Sequence, residues 1–255
     1  MITTSEPAVP EETRATTGAY VYGVVRSGSL NAIGAEGVSG LPVEIVDGEG
    51  VASLVTDLRA DELRIRRRDL RRHLDVIEEA FGKTTILPCR FGTLVDSRTD
   101  VQTELLDARR DELLNGLAHL DGRVQLNVKA TYDEDVLLAE IVANDPEVAR
   151  LREATRTLGD AGYYERLRLG ERVAAAVAAK REEDAARILD ALGAEAEDVV
   201  LDAPPADAAL KASFLVQRNR LERFDNALEQ TATAEQPTLR FDVIGPLPPT
   251  AFAEA

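Results

Sequence analysis

Apolar residues recur along this chain either in alternation or at helical spacing, and the pattern predicts an ordered series of elements. Residues 19–25 (AYVYGVV) are rich in β-branched and aromatic side chains and predict a strand. The Gly-rich stretch 28–40 predicts a flexible connection. Residues 43–47 and 51–57 flank Gly48-Glu49-Gly50, a hairpin signal. In the Arg-studded segment that follows, Leu70, Leu74, Ile77 and Phe81 form one stripe at helical period. Residues 84–91 (TTILPCRF) predict an edge or ending strand, because Pro88 lacks a ladder donor. A helix is expected over 99–119, with Val101, Leu105, Leu106, Ala108, Leu113 and Leu117 as its apolar positions.

The second half repeats the logic in a cleaner order. Val124, Leu126, Val128 and Ala130 alternate along a strand at 123–132. Two short helices (134–142 and 146–157) precede a long one from Tyr163 to Leu192, which stops at Gly193. Strands at 198–202 and 212–217, a helix at 219–234 and a strand at 238–244 complete the series. With the short helices set aside as an insertion, the order is β-α-β-β-α-β, the ferredoxin-like order. The fold class expected is α+β in two domains. They are an N-terminal α+β domain at 19–121 and a C-terminal ferredoxin-like domain at 122–244, with a disordered leader at 1–18 and a Pro-rich tail at 245–255.

Composition narrows the chemistry. The 255 residues carry 46 acids and 30 bases, a net charge of −16 that repels nucleic acid phosphates. No apolar run approaches the roughly 20 residues of a membrane span, and the N-terminus lacks the basic start and apolar centre of a signal peptide. No nucleic acid, no membrane and a cytoplasmic location are the expectations. One cysteine, Cys89, and two histidines, His73 and His119, cannot assemble a usual structural zinc site, so no metal is expected.

Candidate residues divide by how well an ordinary role accounts for them. The run RIRRRDLRR (64–72) is best read as a solvated, ion-paired helix face, ahead of a partner surface or a nucleic acid patch. Gly34, Gly37 and Gly40 resemble a phosphate loop only superficially, since a strand and not a helix follows and no Gly-Lys-Ser/Thr is present. No cofactor is therefore expected. His73 borders the stripe and reads as a core-edge histidine, and Cys89 as a small buried hydrophobe. Arg90, before Phe91-Gly92, has five donors and should be tethered to carboxylates or carbonyls.

The densest signal is GYYERLRLGERVA (162–174). A helix there puts Tyr164, Arg168 and Glu171/Arg172 on one face, and pairs Glu165 with Arg168 and Arg168 with Glu171 along the helix. One of Tyr163 and Tyr164 should anchor into the fold while the other meets a neighbour. Gly170, which weakens a helix by about 1 kcal/mol, fits where another backbone approaches closely. Tyr163, Tyr164, Glu165, Arg166, Arg168, Gly170, Glu171 and Arg172, with Arg90, Phe91 and Gly92, are the candidate partner-binding or interdomain residues. No catalytic residue is expected, because no nucleophile–base pair is evident.

The blocks AYVYGVV (19–25), ILPCRFGT (86–93), GRVQLNVKA (122–130), GYYERLRLGERVA (162–174), SFLVQR (213–218) and GPLPPTAF (245–252) occur in this order in the gas vesicle protein F/L family (GvpF/GvpL), which the chain resembles over 19–252. It departs from the family at Leu247 and Thr250, where aromatics are usual. The resemblance implies a non-enzymatic accessory protein of gas vesicle assembly, associated with the vesicle, that binds the major shell protein and other accessory proteins. The rival reading, a small-molecule or nucleotide-binding enzyme or regulator, would use the Gly-rich loop and the Arg90/Arg168 pair and predicts a pocket of convergent polar groups.

Overall fold

A computed structural model describes residues 17–59, 66–157 and 162–253. The expected leader lies outside the described residues except for Thr17 and Gly18, which open strand β1; so do Arg64 and Ile65 of the basic run. The chain divides into two compact units between His119 and Leu120.

In the first unit, β1 (Thr17–Arg26) lies between β3 (Val51–Arg59) and β4 (Ile86–Pro88), and β2 (Glu44–Asp47) pairs with the far edge of β3. Every pairing is antiparallel, including that of the two-residue β5 (Leu94–Val95) with Ala19 and Tyr20. The core gathers Tyr20, Tyr22, Leu54, Leu58, Val76, Ile77 and Ile86. Helix α1 (Arg67–Lys83) buries Asp69, His73, Val76, Ile77 and Ala80, so the expected stripe is rotated: Leu70 is 43% exposed. Two polar residues take the inner face because both have partners there. His73 Nδ1 lies 2.9 Å from Tyr20 Oη, and Asp69 accepts from Ser39 N–H at 3.3 Å.

The Gly-rich connection is held rather than flexible. Gly34 and Ala35 donate their N–H groups to the Glu79 carboxylate at 2.9 and 2.7 Å. Gly37 fits against buried groups where a Cβ would stand 2.3 Å from Tyr22 Oη. The basic run behaves as expected over its described part, with Arg71 reaching Asp75 at 2.9 Å and Arg72 reaching Glu36 at 3.2 Å. After β5, α2 (Arg98–Asp100) runs into a π-helical stretch (Val101–Asp107) and then α3 (Arg110–Leu120).

In the second unit the strands β6 (Arg123–Tyr132), β7 (Asp198–Leu201), β8 (Ala208–Gln217) and β9 (Leu239–Leu247) form one antiparallel sheet in the order β7-β8-β6-β9. Helix α6 (Tyr163–Gly193) connects β6 to β7 after α4 (Glu134–Asn144) and α5 (Pro146–Thr157), and α7 (Leu221–Ala234) connects β8 to β9. The succession around the sheet is thus β-α-β-β-α-β once α4 and α5 are set aside. The inserted helices are part of the core, since Leu137, Ile141 and Val148 join Val128, Ile188, Leu192, Phe214 and Phe224. The tail is not separate through residue 253. Its first three residues extend β9, and Ala251 N–H donates to Gln125 Oε1 at 2.8 Å. Gly245, at φ 153°, turns where a Cβ would meet Leu126 and the Gln125 carbonyl.

Candidate functional site

The candidate residues fall in different units. In the first unit Phe91 and Gly92 complete an aromatic cluster. The Phe91 ring lies 5.5 Å from His73 and 6.2 Å from Tyr20, and Gly92 N–H donates to Tyr20 Oη at 3.1 Å. Tyr22 stacks on His73 at 5.6 Å and accepts from Val38 N–H at 2.7 Å. Burial holds His73 down to about 4, with a hydrogen bond to the Cys89 backbone opposing that shift. Burial likewise pushes the Cys89 thiol up to about 12. Neither group is charged or nucleophilic near neutral pH, in line with the structural reading of both. Arg90 departs from expectation: it is exposed, and its guanidinium has no hydrogen bond or ion pair with the described residues. The backbone explains why the turn does not need that side chain, since the Arg90 carbonyl accepts both Thr93 N–H and Thr93 Oγ1–H.

In the second unit the start of α6 stands clear of the core. Tyr163 and Tyr164 are 62% and 73% exposed and touch each other edge-on at 5.4 Å, so neither anchors into the fold as expected. Leu167 is half exposed beside them. A Cβ on Gly170 would meet nothing within 4 Å, so no close backbone within the chain accounts for this glycine. Glu165 is half-buried, and Glu171 is exposed. The arginines pair across helices rather than along α6. Arg168 reaches Glu147 at 3.8 Å, and Arg172 binds Asp145 at 2.8 Å. Arg166 is exposed on the same turn and is not without a partner.

Asp145-Pro146 marks the start of α5 in the sequence, but the tie from Asp145 to α6 is not legible there. Asp145 Oδ1 accepts from Glu147 and Val148 N–H, capping α5, while its Oδ2 takes Arg172. The Val148 N–H first, and then Arg172, keep its carboxyl below the usual aspartate range. The Asp145-Pro146 step is a cap residue before a proline at the first helical position. Asp184 was missed. It is fully buried and receives Tyr132 Oη–H at 2.8 Å, Arg187 at 2.6 Å and Lys180 at 3.5 Å. Nothing in a helical pattern marks one inward acid among several outward ones.

A groove of about 490 Å³ runs between α4 and α6, lined by Glu140, Asp145, Arg172 and Lys180. Its charges are spent on one another, through Arg172 with Asp145 and Lys180 with Glu140 at 3.0 Å. Among the described residues no group of three or more His, Cys, Asp or Glu could hold a metal ion, and no helix is long and apolar enough to cross a membrane. The polar side chains of this unit are arranged to join helices, and the start of α6 presents exposed apolar surface.

The profile of the family described as gas vesicle synthesis protein GvpL/GvpF matches residues 18–254. The chain belongs to the GvpL/GvpF family. Gas vesicle protein F of Streptomyces sp. (strain CB03234) is 41% identical over 239 residues, covering 92% of this chain and 99% of that protein. Gas vesicle protein L of the same organism is 30% identical, covering 92% of each. Among solved structures, the crystal structure of GvpF from Anabaena sp. PCC7120 superposes with a TM-score of 0.80 at 23% identity, over 94% of this chain and 99% of that one. That likeness shows the fold: mixed helix and sheet with two antiparallel sheets. The blocks that carry the family resemblance now have positions, with RFGT closing the aromatic cluster of β1 and α1 and GYYERLRLGERVA forming the exposed start of α6.

Proposed function

We propose that this chain is a non-enzymatic accessory protein of gas vesicle assembly, vesicle-associated in the cytoplasm, which binds the major shell protein and fellow accessory proteins. Family membership supports the vesicle role. The observation that carries the binding reading is the start of α6, where Tyr163, Tyr164 and Leu167 present ring and aliphatic surface to solvent beside an unhindered Gly170. Tyrosine gives large contact area at low entropic cost and is enriched where proteins meet. Arg168 and Arg172, fixed by α5, frame that surface with charge.

The nucleotide-binding reading has less support, because the N–H groups of Gly34 and Ala35 already serve Glu79. The test is Tyr164→Ala with Arg168→Ala, followed by circular dichroism and pull-down with the major shell protein. Loss of binding with the fold intact supports a direct interface. Retained binding and vesicle formation would sink it. Thermal shift with nucleotides runs beside it, and a stabilising nucleotide would favour the enzyme reading.

A further inference from the structure

Strand β9 is the long open edge of the second sheet. Asp133 N–H donates to the Thr238 carbonyl at 2.9 Å, and antiparallel pairing alternates from there. Arg240, Asp242 and Ile244 therefore direct their backbone groups at β6, opposite Thr131, Lys129 and Asn127. Phe241 and Val243 direct theirs outward, and no described group takes them. Side chains add to the opening, since Val243 is 40% and Ile244 63% exposed, on opposite faces of the strand. Arg240 and Asp242 are exposed on the Ile244 face without an ion pair among the described residues.

The edges at β7 and β2 are guarded. β7 has four residues, and the Asp198 carboxylate takes the Val199 N–H at 2.7 Å. β2 also has four, with an acid at each end and Glu44 bound to Arg98 at 2.6 Å. Long open edges are normally blunted, because unpaired N–H and C=O groups template another strand. On β9 the two charges sit on one face only. They oppose a strand of unmatched charge and favour a matched one, which is selection rather than closure.

We infer that β9 receives an extended strand of the protein partner, which adds antiparallel or parallel along Phe241–Val243 as a fifth strand of this sheet. The segment that fits is apolar where it meets Val243 and Ile244, with an acid facing Arg240 and a base facing Asp242. Pro246 has no N–H and ends the docking edge. The inference rests on the shell-binding reading and names a contact on a different element from α6.

The test uses the full chain and the purified major shell protein. Hydrogen exchange at the Phe241 and Val243 amides is expected to slow on mixing, while the β7 amides hold their rates. Val243→Pro removes one outward N–H and is tolerated at an edge strand. It should weaken shell-protein binding about tenfold or more with circular dichroism unchanged. If that variant unfolds, Arg240→Glu with Asp242→Lys leaves the core side chains in place and should weaken binding about fivefold or more. Wild-type binding by Val243→Pro, or unchanged amide exchange, overturns the inference and leaves the shell-binding reading standing. Protection that grows with concentration in the chain alone overturns it in favour of a second copy. Absence of binding by the wild-type chain defeats that reading and this inference with it.

Discussion

His73 shows how much a single buried residue sets in this chain. Its ring is enclosed by Tyr20, Tyr22 and Phe91 and meets Tyr20 Oη at 2.9 Å, so it stays neutral in the fold down to about pH 4. In the unfolded chain an ordinary histidine takes its proton near 6.5. A depressed folded value means that stability is intact above about pH 6.5 and falls as pH drops toward 4, because only the unfolded state gains the proton. Urea unfolding at stepped pH should therefore show the first unit weakening across that window, with a slope approaching one proton. His73→Gln should lower stability at pH 7 by about 1–3 kcal/mol and remove that part of the slope. At Gly170 the expected sign is opposite. Its Cβ position is open, so Gly170→Ala should raise the melting temperature, by up to about 1 kcal/mol of helix propensity. A fall would mean that an unseen close contact exists within the chain.

At the scale of elements, periodicity was legible and phase was not. Ile77 lies in the core and Phe81 packs against it as the α1 spacing predicts, yet Leu70 and Leu74 turn out because Asp69 and His73 find partners inside. The helix expected at 99–119 is present, and its buried positions run Val101, Leu106, Leu113, Leu117 and Leu120. The step from 101 to 106 spans the π-helical stretch, which shifts the face by a residue and leaves Ala108 exposed. β5 was not legible at all, since two residues cannot show alternation and only pairing with Ala19 and Tyr20 defines them. The exposure of the α6 start was half legible: the tyrosines marked a surface, while the cross-helix partners Asp145 and Glu147 needed three dimensions.

The inward carboxylate of α6 yields the prediction proper to this scale. Asp184 joins β6 through Tyr132 and, through Arg187, meets Glu235 beyond the end of α7. Removing one member of a buried charge network leaves the others unpaired. Asp184→Ala should cost about 3–5 kcal/mol, whereas exposed Glu183→Ala should stay within about 0.5. Chemical denaturation of both variants checks this. Equal effects would mean that the network contributes no more than a surface pair.

Over the whole molecule, two separate cores carry the fold and one strong charge surrounds them. The ladders of β6 to β9, the inserted helices and the tail to residue 253 all close within 120–253. A core of this kind, holding Val128, Ile188, Leu192, Phe214 and Phe224 with every strand paired inside the unit, has what independent folding requires. Residues 120–253 expressed alone should therefore be folded by circular dichroism and unfold in one cooperative step. Asp184→Ala should lower that step as it does in the full chain. The charge of −16 belongs to the same scale, since it opposes self-association of a protein with an exposed aromatic face and an open strand edge. If the fragment is soluble but lacks cooperative unfolding, the second core depends on the first, and the two units are one folding entity despite their separate ladders.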